Sequence, residues 1–228
     1  MIKIPIIYED NHLLVVNKPP NILSQKDNTG DKDMVTLLKE DLKIRYNKPG
    51  NVYLGLVHRL DRPVGGTMVF AKTSKSAARL SEQIRQKEFF KTYMALIHGK
   101  PQKQKDTLVH YLIKDHKTNT VTVVKKGLKG AKEAVLDYEV ISSKTSFSLV
   151  KINLKTGRPH QIRVQFSAIG HSLYGDQRYG HTVNKAGQQI ALWSYKISFA
   201  HPTLKKRMSF FSFPIKQEPW DKFSFKGL

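Results

Sequence analysis

The 228-residue chain predicts an α+β domain built on a mostly antiparallel or mixed sheet. Three observations point there. Short runs rich in β-branched and aromatic residues outnumber the helical patterns, and most of them follow residue 89. Helical periodicity is confined to three segments, so strands and helices do not alternate as a doubly wound sheet requires. Hydrophobic residues make up 39% and aromatics 10%, enough for a core and too many for a disordered basic tail. No internal repeat, low-complexity tract or Ser/Gly-rich linker interrupts the chain, so a single domain over residues 1–228 is expected.

Residues 4–9 and 13–18 are short apolar runs around Asp10-Asn11 and read as a hairpin or two adjacent strands, closed by Pro19-Pro20. Met34 to Tyr46 interleaves apolar and charged residues as an amphipathic helix does, and Pro49-Gly50 stops it. Gly66 to Thr73 reads as a buried strand. Ser74 then caps a helix to about Gln86, with Ala77, Leu80 and Ile84 on one face. Strands are expected at Phe89–Ile97, Leu108–Ile113, Thr120–Val124, Ala134–Ser142 and Ser146–Leu154. A short helix follows from Pro159 to about Ile169, with Pro at its first position and Gly170 just past its end. Strands near Ile190–Ala200 and Arg207–Phe213 close the chain.

Composition narrows the function. Lys and Arg number 39 against 18 Asp and Glu, a formal net charge of +21, which favours a polyanionic partner such as nucleic acid. Residues 85–132 hold 12 basic and 3 acidic side chains, and residues 151–228 hold 13 and 3. Both stretches mix charge with aromatic and β-branched residues, the texture of a folded basic surface. With no cysteine there is no disulfide framework, Cys-ligated zinc or Cys nucleophile. The nine histidines form no i, i+4 ligand pair and keep no carboxylate cluster, so no metal site is expected. Phosphate-loop, dinucleotide-binding and serine-elbow motifs are absent. The apolar start of the chain is too short for a signal peptide, and no run approaches a membrane span. An intracellular, cytoplasmic protein without membrane association is the expectation.

Three constellations could carry chemistry. In His58-Arg59-Leu60-Asp61-Arg62-Pro63-Val64-Gly65-Gly66, one carboxylate sits among two arginines and a histidine before a Gly-Gly turn. A positioned carboxylate can serve as nucleophile or base; the plain alternative is a surface ion-pair loop. In Thr156-Gly157-Arg158-Pro159-His160-Gln161-Ile162-Arg163, Ile162, Phe166 and Ile169 form a buried stripe, while His160 and Arg163 share another face. A helix start rich in Arg, His and Gln suits a phosphate or carboxylate; the plain alternative is a solvated basic face. In Lys91-Thr92-Tyr93-Met94-Ala95-Leu96, Tyr93 could stack on a base, or could be an ordinary sheet aromatic.

Together, and in this order, these segments resemble the RluA family of pseudouridine synthases. The resemblance is carried by Ile6 to Pro19 (Tyr-Glu-Asp…Val-Val-Asn-Lys-Pro), His58–Asp61, Thr67–Lys72, Lys91–Leu96, Thr156–Val164 and the Gly-Asp-x-x-Tyr-Gly of Gly175–Gly180. It implies a long bent mixed or antiparallel sheet, flanked by helices and loops, with a central catalytic cleft. It implies an enzyme, an isomerase that converts uridines in ribosomal or transfer RNA to pseudouridine after base flipping, without cofactor or metal. Asp61 matches the catalytic aspartate, Tyr93 the active-site tyrosine that stacks on the target base, and Arg163 the arginine paired with the aspartate. Arg59 matches the arginine that enters the space left by the flipped nucleotide. His58, Arg62, Arg158, His160 and Gln161 are the other candidates for contact with substrate. The family's usual Thr-Ser-Gly after the aspartate is here Val64-Gly65-Gly66, two hydroxyls fewer. The pattern starts almost at Met1, so the frequent N-terminal RNA-binding domain is expected to be missing, leaving RNA to the basic surface. A monomer is the default expectation. A non-catalytic RNA binder would lack Asp61 or Arg163, and a metal-dependent nuclease would need clustered carboxylates.

Overall fold

A computed structural model describes residues 3–225, so Met1 and Ile2 of the amino-terminal apolar run lie outside the described residues. The chain forms two compact units: Met1–Lys91 with Ser194–Phe213, and Thr92–Trp193 with Pro214–Leu228. Strand-forming sequence dominates both, as the α+β expectation requires.

In the first unit, β1 (Ile6–Glu9) and β2 (Leu13–Lys18) form the expected antiparallel hairpin. Its turn is set by Asp10, whose Oδ1 accepts hydrogen bonds from the amides of His12 and Leu13, each at 2.7 Å. β2 pairs antiparallel with β4 (Gly65–Ala71), from Leu13 opposite Ala71 to Lys18 opposite Gly66. All seven residues of β4 are buried, which is why it reads as a continuous apolar run rather than an alternating one. A two-residue strand, β3 (Gly55–Leu56), also pairs with β4 and carried no sequence signal of its own.

Two helices belong to this unit. α1 (Met34–Arg45) starts at Asp33, whose carboxylate accepts from the amides of Val35 and Thr36. It buries Met34, Leu37, Leu38 and Leu42. α2 (Ser74–Arg85) is capped by Thr73, one residue before the expected Ser74, because the Thr73 hydroxyl accepts from the Ser76 amide. Leu80 of α2 joins Leu13, Val15, Val69, Ile197 and Phe199 in the core, with Ala77 and Ile84 packed on it. Burial of each such large side chain contributes about 1.5–3 kcal/mol.

β5 (Phe90–His98) and β10 (Leu192–Ala200) have residues in both units. β11 (Arg207–Phe211) pairs antiparallel with β10, Lys196 opposite Phe211 and Ala200 opposite Arg207. In the second unit the strand order is β5, β9 (Phe147–Leu154), β8 (Lys132–Ser143), β6 (Lys105–Asp115), β7 (Thr120–Val124). β8 alternates strictly, burying Ala134, Leu136, Tyr138 and Val140.

α3 (Gln161–Ala168) begins two residues later than Pro159 suggests. His160 sits in the left-handed region at φ 49°, which breaks the helix before it. Residues 161–166 are all buried, a wider face than the Ile162/Phe166 stripe, and Ile169 is only half-buried. A short 3₁₀ turn, Trp220–Lys222, was not foreseen.

Gly66 follows the expected turn and is already inside β4. Its φ is +120°, and a Cβ there would lie 2.4 Å from the Ser194 carbonyl oxygen. Backbone strain and a collision with backbone act together at this one position. Gly66→Ala should lower the unfolding free energy by at least about 2 kcal/mol. A urea titration measures it, and an unchanged midpoint would show that the strand relaxes freely there.

Candidate active site

The segment carrying Asp61 is fixed from the main chain. Leu60 is buried, and the Ser24 hydroxyl grips it twice, donating to its carbonyl at 2.7 Å and accepting from its amide at 3.1 Å. The Val64 amide closes a turn by donating to the Asp61 carbonyl at 3.0 Å. Burial alternates along the approach: His58 and Leu60 point in, Arg59 is exposed and Asp61 is half-buried.

Lys18 holds the far side of that turn. It ends β2 and has no exposed surface. Its Nζ donates to the carbonyls of Pro19 at 3.1 Å, Arg62 at 3.1 Å and Val64 at 2.8 Å. Three acceptors match the three N–H bonds of an ammonium. Burial pulls the Lys18 pKa down to about 7, against the opposing attraction of the Asp61 carboxylate. The Lys18 amine is thereby fixed near Asp61 by the turn that carries Asp61. In the sequence Lys18 stands out only as part of the Val-Val-Asn-Lys-Pro match. The signal that marks it is a lysine ending an apolar strand whose first four residues are buried.

His58 belongs to the same scaffold. Its Nε2 accepts a hydrogen bond from the Val69 amide at 3.0 Å, and its ring lies 5.4 Å from Phe89. Burial, with a smaller contribution from Lys91, pushes its pKa down to about 3, so the imidazole is neutral. Arg62 is exposed and pairs with Asp31 at 2.7 Å.

Tyr93, Arg158, His160, Gln161 and Arg163 lie in the second unit. Tyr93 is a buried β5 residue, 6% exposed. Arg163 is buried on α3, and its Nε and Nη2 donate to Asp176 Oδ2 and Oδ1, both at 2.8 Å. The Tyr179 ring lies against its guanidinium, 5.2 Å from the ring centre. Asp176 is itself 1% exposed and also accepts from the amides of Arg178 and Tyr179. His160 Nδ1 meets the Tyr179 hydroxyl at 2.7 Å, and that hydroxyl also accepts from the Val121 amide at 2.9 Å. Gln161 is 3% exposed; its Oε1 accepts from Thr156 and from the Arg158 amide, and its Nε2 donates to the Val135 carbonyl. Arg158 Nε donates to the Glu133 carbonyl at 2.8 Å.

These contacts give the Gly-Asp-x-x-Tyr-Gly segment a physical meaning that the motif alone did not supply. Gly175 has φ +74°, and a Cβ there would fall 2.2 Å from the Gln189 carbonyl oxygen. Asp176 holds Arg163 with both carboxylate oxygens, and the Tyr179 ring lies against its guanidinium. Asn184 pins the loop, accepting from the Gly175 amide and donating to the carbonyls of Leu173 and Gly180. Among the described residues no group of three or more His, Asp or Glu side chains is placed to hold a metal ion, and no helix is long and apolar enough to cross a membrane.

Comparison with known proteins identifies the family and the fold. The RNA pseudouridylate synthase family profile matches residues 12–168. The chain is 33% identical over 210 residues to the uncharacterized RNA pseudouridine synthase YhcT of Bacillus subtilis, covering 88% of this chain and 65% of that protein. It is 32% identical over 219 residues to ribosomal large subunit pseudouridine synthase D of Zymomonas mobilis, covering 92% and 68%. This chain thus spans about two thirds of the length of these relatives. Among solved structures, human RNA pseudouridylate synthase domain containing 4 superposes with a TM-score of 0.77 at 22% identity, over 92% of this chain and 88% of that one. Human RNA pseudouridylate synthase domain containing 1 gives 0.75 at 22%, over 96% and 87%. The fold implied by the ordered motifs is therefore the observed one, and the chain belongs to the RNA pseudouridylate synthase family.

Proposed function

We propose that this protein isomerises uridine to pseudouridine in a structured RNA, with Asp61 as the group that attacks the reacting nucleotide and Tyr93 and Arg163 as its catalytic partners. The observation that carries the proposal is the Asp61 turn, held from the backbone by Ser24 and Lys18 and bearing a carboxylate near the buried Lys18 amine. Family membership supports the same reading.

The reaction breaks the N1–C1′ bond of uridine and forms a C5–C1′ bond. C5 gives up its proton and N1 gains one, so atoms and oxidation state are conserved and no group donor is required. A uridine stacked in an RNA helix hides C1′ and C6, so it must be flipped out at a cost of a few kcal/mol. Lys and Arg contacts with phosphate, and stacking on Tyr93 worth about 1–3 kcal/mol, offset that cost. Asp61 then acts by adding to C1′, by adding to C6, or by abstracting a sugar proton to give a glycal. Arg163 supplies its counter-charge, and Arg59, exposed two residues before Asp61, enters the space left by the base. Arg62, Arg158 and His160 face substrate phosphates. His58, whose Nε2 accepts from the Val69 amide, and Gln161, whose amide group bonds within the protein, act by holding these segments. Ribosomal RNA is the favoured target, because a relative carries that assignment in its name; transfer RNA is the second. The protein works as a cytoplasmic monomer, without cofactor.

Asp61→Asn should cut single-turnover pseudouridine formation by at least about 10³-fold while RNA binding stays within a few-fold of wild type. The change keeps the side chain's shape and removes its charge. Near-normal turnover would sink the assignment.

RNA affinity should fall with salt along a log–log slope of about −0.7 to −0.9 per phosphate neutralised. A titration between low and moderate salt reads it directly; a flat line would mean that the basic surface does not meet RNA.

Lys18 gives a pH prediction. Its folded pKa, about 7, lies below its ordinary value of 10.5. The unfolded chain therefore binds the extra proton between those values, and the contribution of Lys18 to stability rises as pH climbs from about 7 to about 10.5. Compared by denaturant unfolding at several pH values, wild type should gain on Lys18→Met across that window. A difference independent of pH would contradict the depressed pKa.

A further inference from the structure

Two half-exposed aromatic rings lie on and beside β10 and β11, one of them, Phe211, with an edge contact to the buried Tyr195. Phe211 is 43% exposed and Phe90, at the start of β5, is 51% exposed. Each ring has a cation against it: Lys196 Nζ lies 5.0 Å from the Phe211 ring centre, and the Arg207 guanidinium lies 5.0 Å from that of Phe90. The register explains both pairs. Lys196 faces Phe211 directly across the strands, and Arg207, opposite the small Ala200, also donates from Nη1 to the Glu88 carbonyl at 3.3 Å. Between the pairs, the hydroxyls of Ser209 and Ser198 bond at 3.0 Å. Arg207 and Phe211 are four residues apart on β11, about 13 Å along the strand. Neither β10 nor β11 contains an acidic residue, and Lys205 and Lys206 precede β11.

An apolar protein partner would have to strip water from both cations without compensating them. A single-stranded polynucleotide offers what the face asks for: flat bases to stack on the rings, and phosphates for the cations. We propose that this face is a second RNA-docking surface, binding a single-stranded flank of the substrate through stacking on Phe90 and Phe211 and phosphate contacts from Lys196 and Arg207. None of these residues holds the Asp61 turn. The inference rests on the reading that the substrate is RNA.

The test uses the full chain, fluorescent decauridine, and a stem-loop substrate made with and without a single-stranded tail. Phe90→Ala and Phe211→Ala should each weaken decauridine binding at least about fivefold. Phe211→Trp should restore it, and Lys196→Gln or Arg207→Gln should flatten the salt slope by about 0.7. The Ala variants should raise KM for the tailed stem-loop and leave the tail-less one unchanged. If wild type isomerises the stem-loop and binds decauridine, but both Ala variants bind it within twofold of wild type, the docking surface is wrong and the proposed function stands. If wild type neither binds decauridine nor isomerises any RNA, both fall. Sedimentation of wild type as a dimer that Phe211→Ala dissociates would assign the face to a second copy of the chain and overturn the RNA occupant.

Discussion

A buried ammonium is tolerated only where acceptors replace the water it has lost, and at the end of β2 those acceptors are the carbonyl of the next residue, Pro19, and two carbonyls of the Asp61 turn. Leaving such a charge without partners would cost several kcal/mol, so Lys18 and residues 62–64 are bound to fold together. The arrangement works in both directions. The turn satisfies the lysine, and the lysine dictates where the turn, and with it Asp61, must lie. The antiparallel register of β2 against β4 places Lys18 opposite Gly66, which brings strand end and turn to the same edge. Ser24 adds a second hold from another segment by gripping Leu60.

The second unit solves a similar problem with a different pair. Arg163 is buried, and its guanidinium is met by both oxygens of a carboxylate that also accepts two backbone amides. Bidentate pairing fixes the plane of the guanidinium as well as its position, which a lysine in its place would not do. Tyr179 closes one face and ties in His160. The left-handed backbone of His160 is thereby accounted for: the ring bonded to Tyr179 holds the residue at the point where α3 starts. In both units, a charged side chain named by the motifs is immobilised by residues whose polar atoms face inward.

The strand order of a sheet is not written in any one strand, but the strands themselves were largely legible, because burial on one or both faces leaves a pattern of period two or an unbroken apolar run. β3 was missed because two residues carry no period. Pro159 suits a first helical turn, but α3 starts after His160, whose left-handed backbone goes with a ring bonded to Tyr179, nineteen residues away. The motifs that carry Asp61, Tyr93 and Arg163 could be read directly. The residues that hold them could not. Lys18 and Asp176 act through partners 44 and 13 residues away, and local sequence holds no trace of such pairings. His58 and Gln161 show the same limit from the other side: in sequence they read as candidate substrate contacts, and only the structure shows that both are buried and bonded to neighbouring backbone.

The same logic bears on Val64-Gly65-Gly66, where two hydroxyls common in the family are missing. The turn after Asp61 is gripped through its main chain: Lys18 binds the carbonyls of Arg62 and Val64, and the Val64 amide binds the Asp61 carbonyl. The Val64 side chain is 2% exposed, so it contributes packing where a threonine would bring a hydroxyl needing a partner. Gly66 is fixed by its own constraint, the close approach of the Ser194 backbone. Substitution at the first two positions therefore changes side chains that the hold on Asp61 does not use. The position of the carboxylate is set by a lysine and three carbonyl oxygens, and a sequence can vary at residues 64 and 65 without moving it.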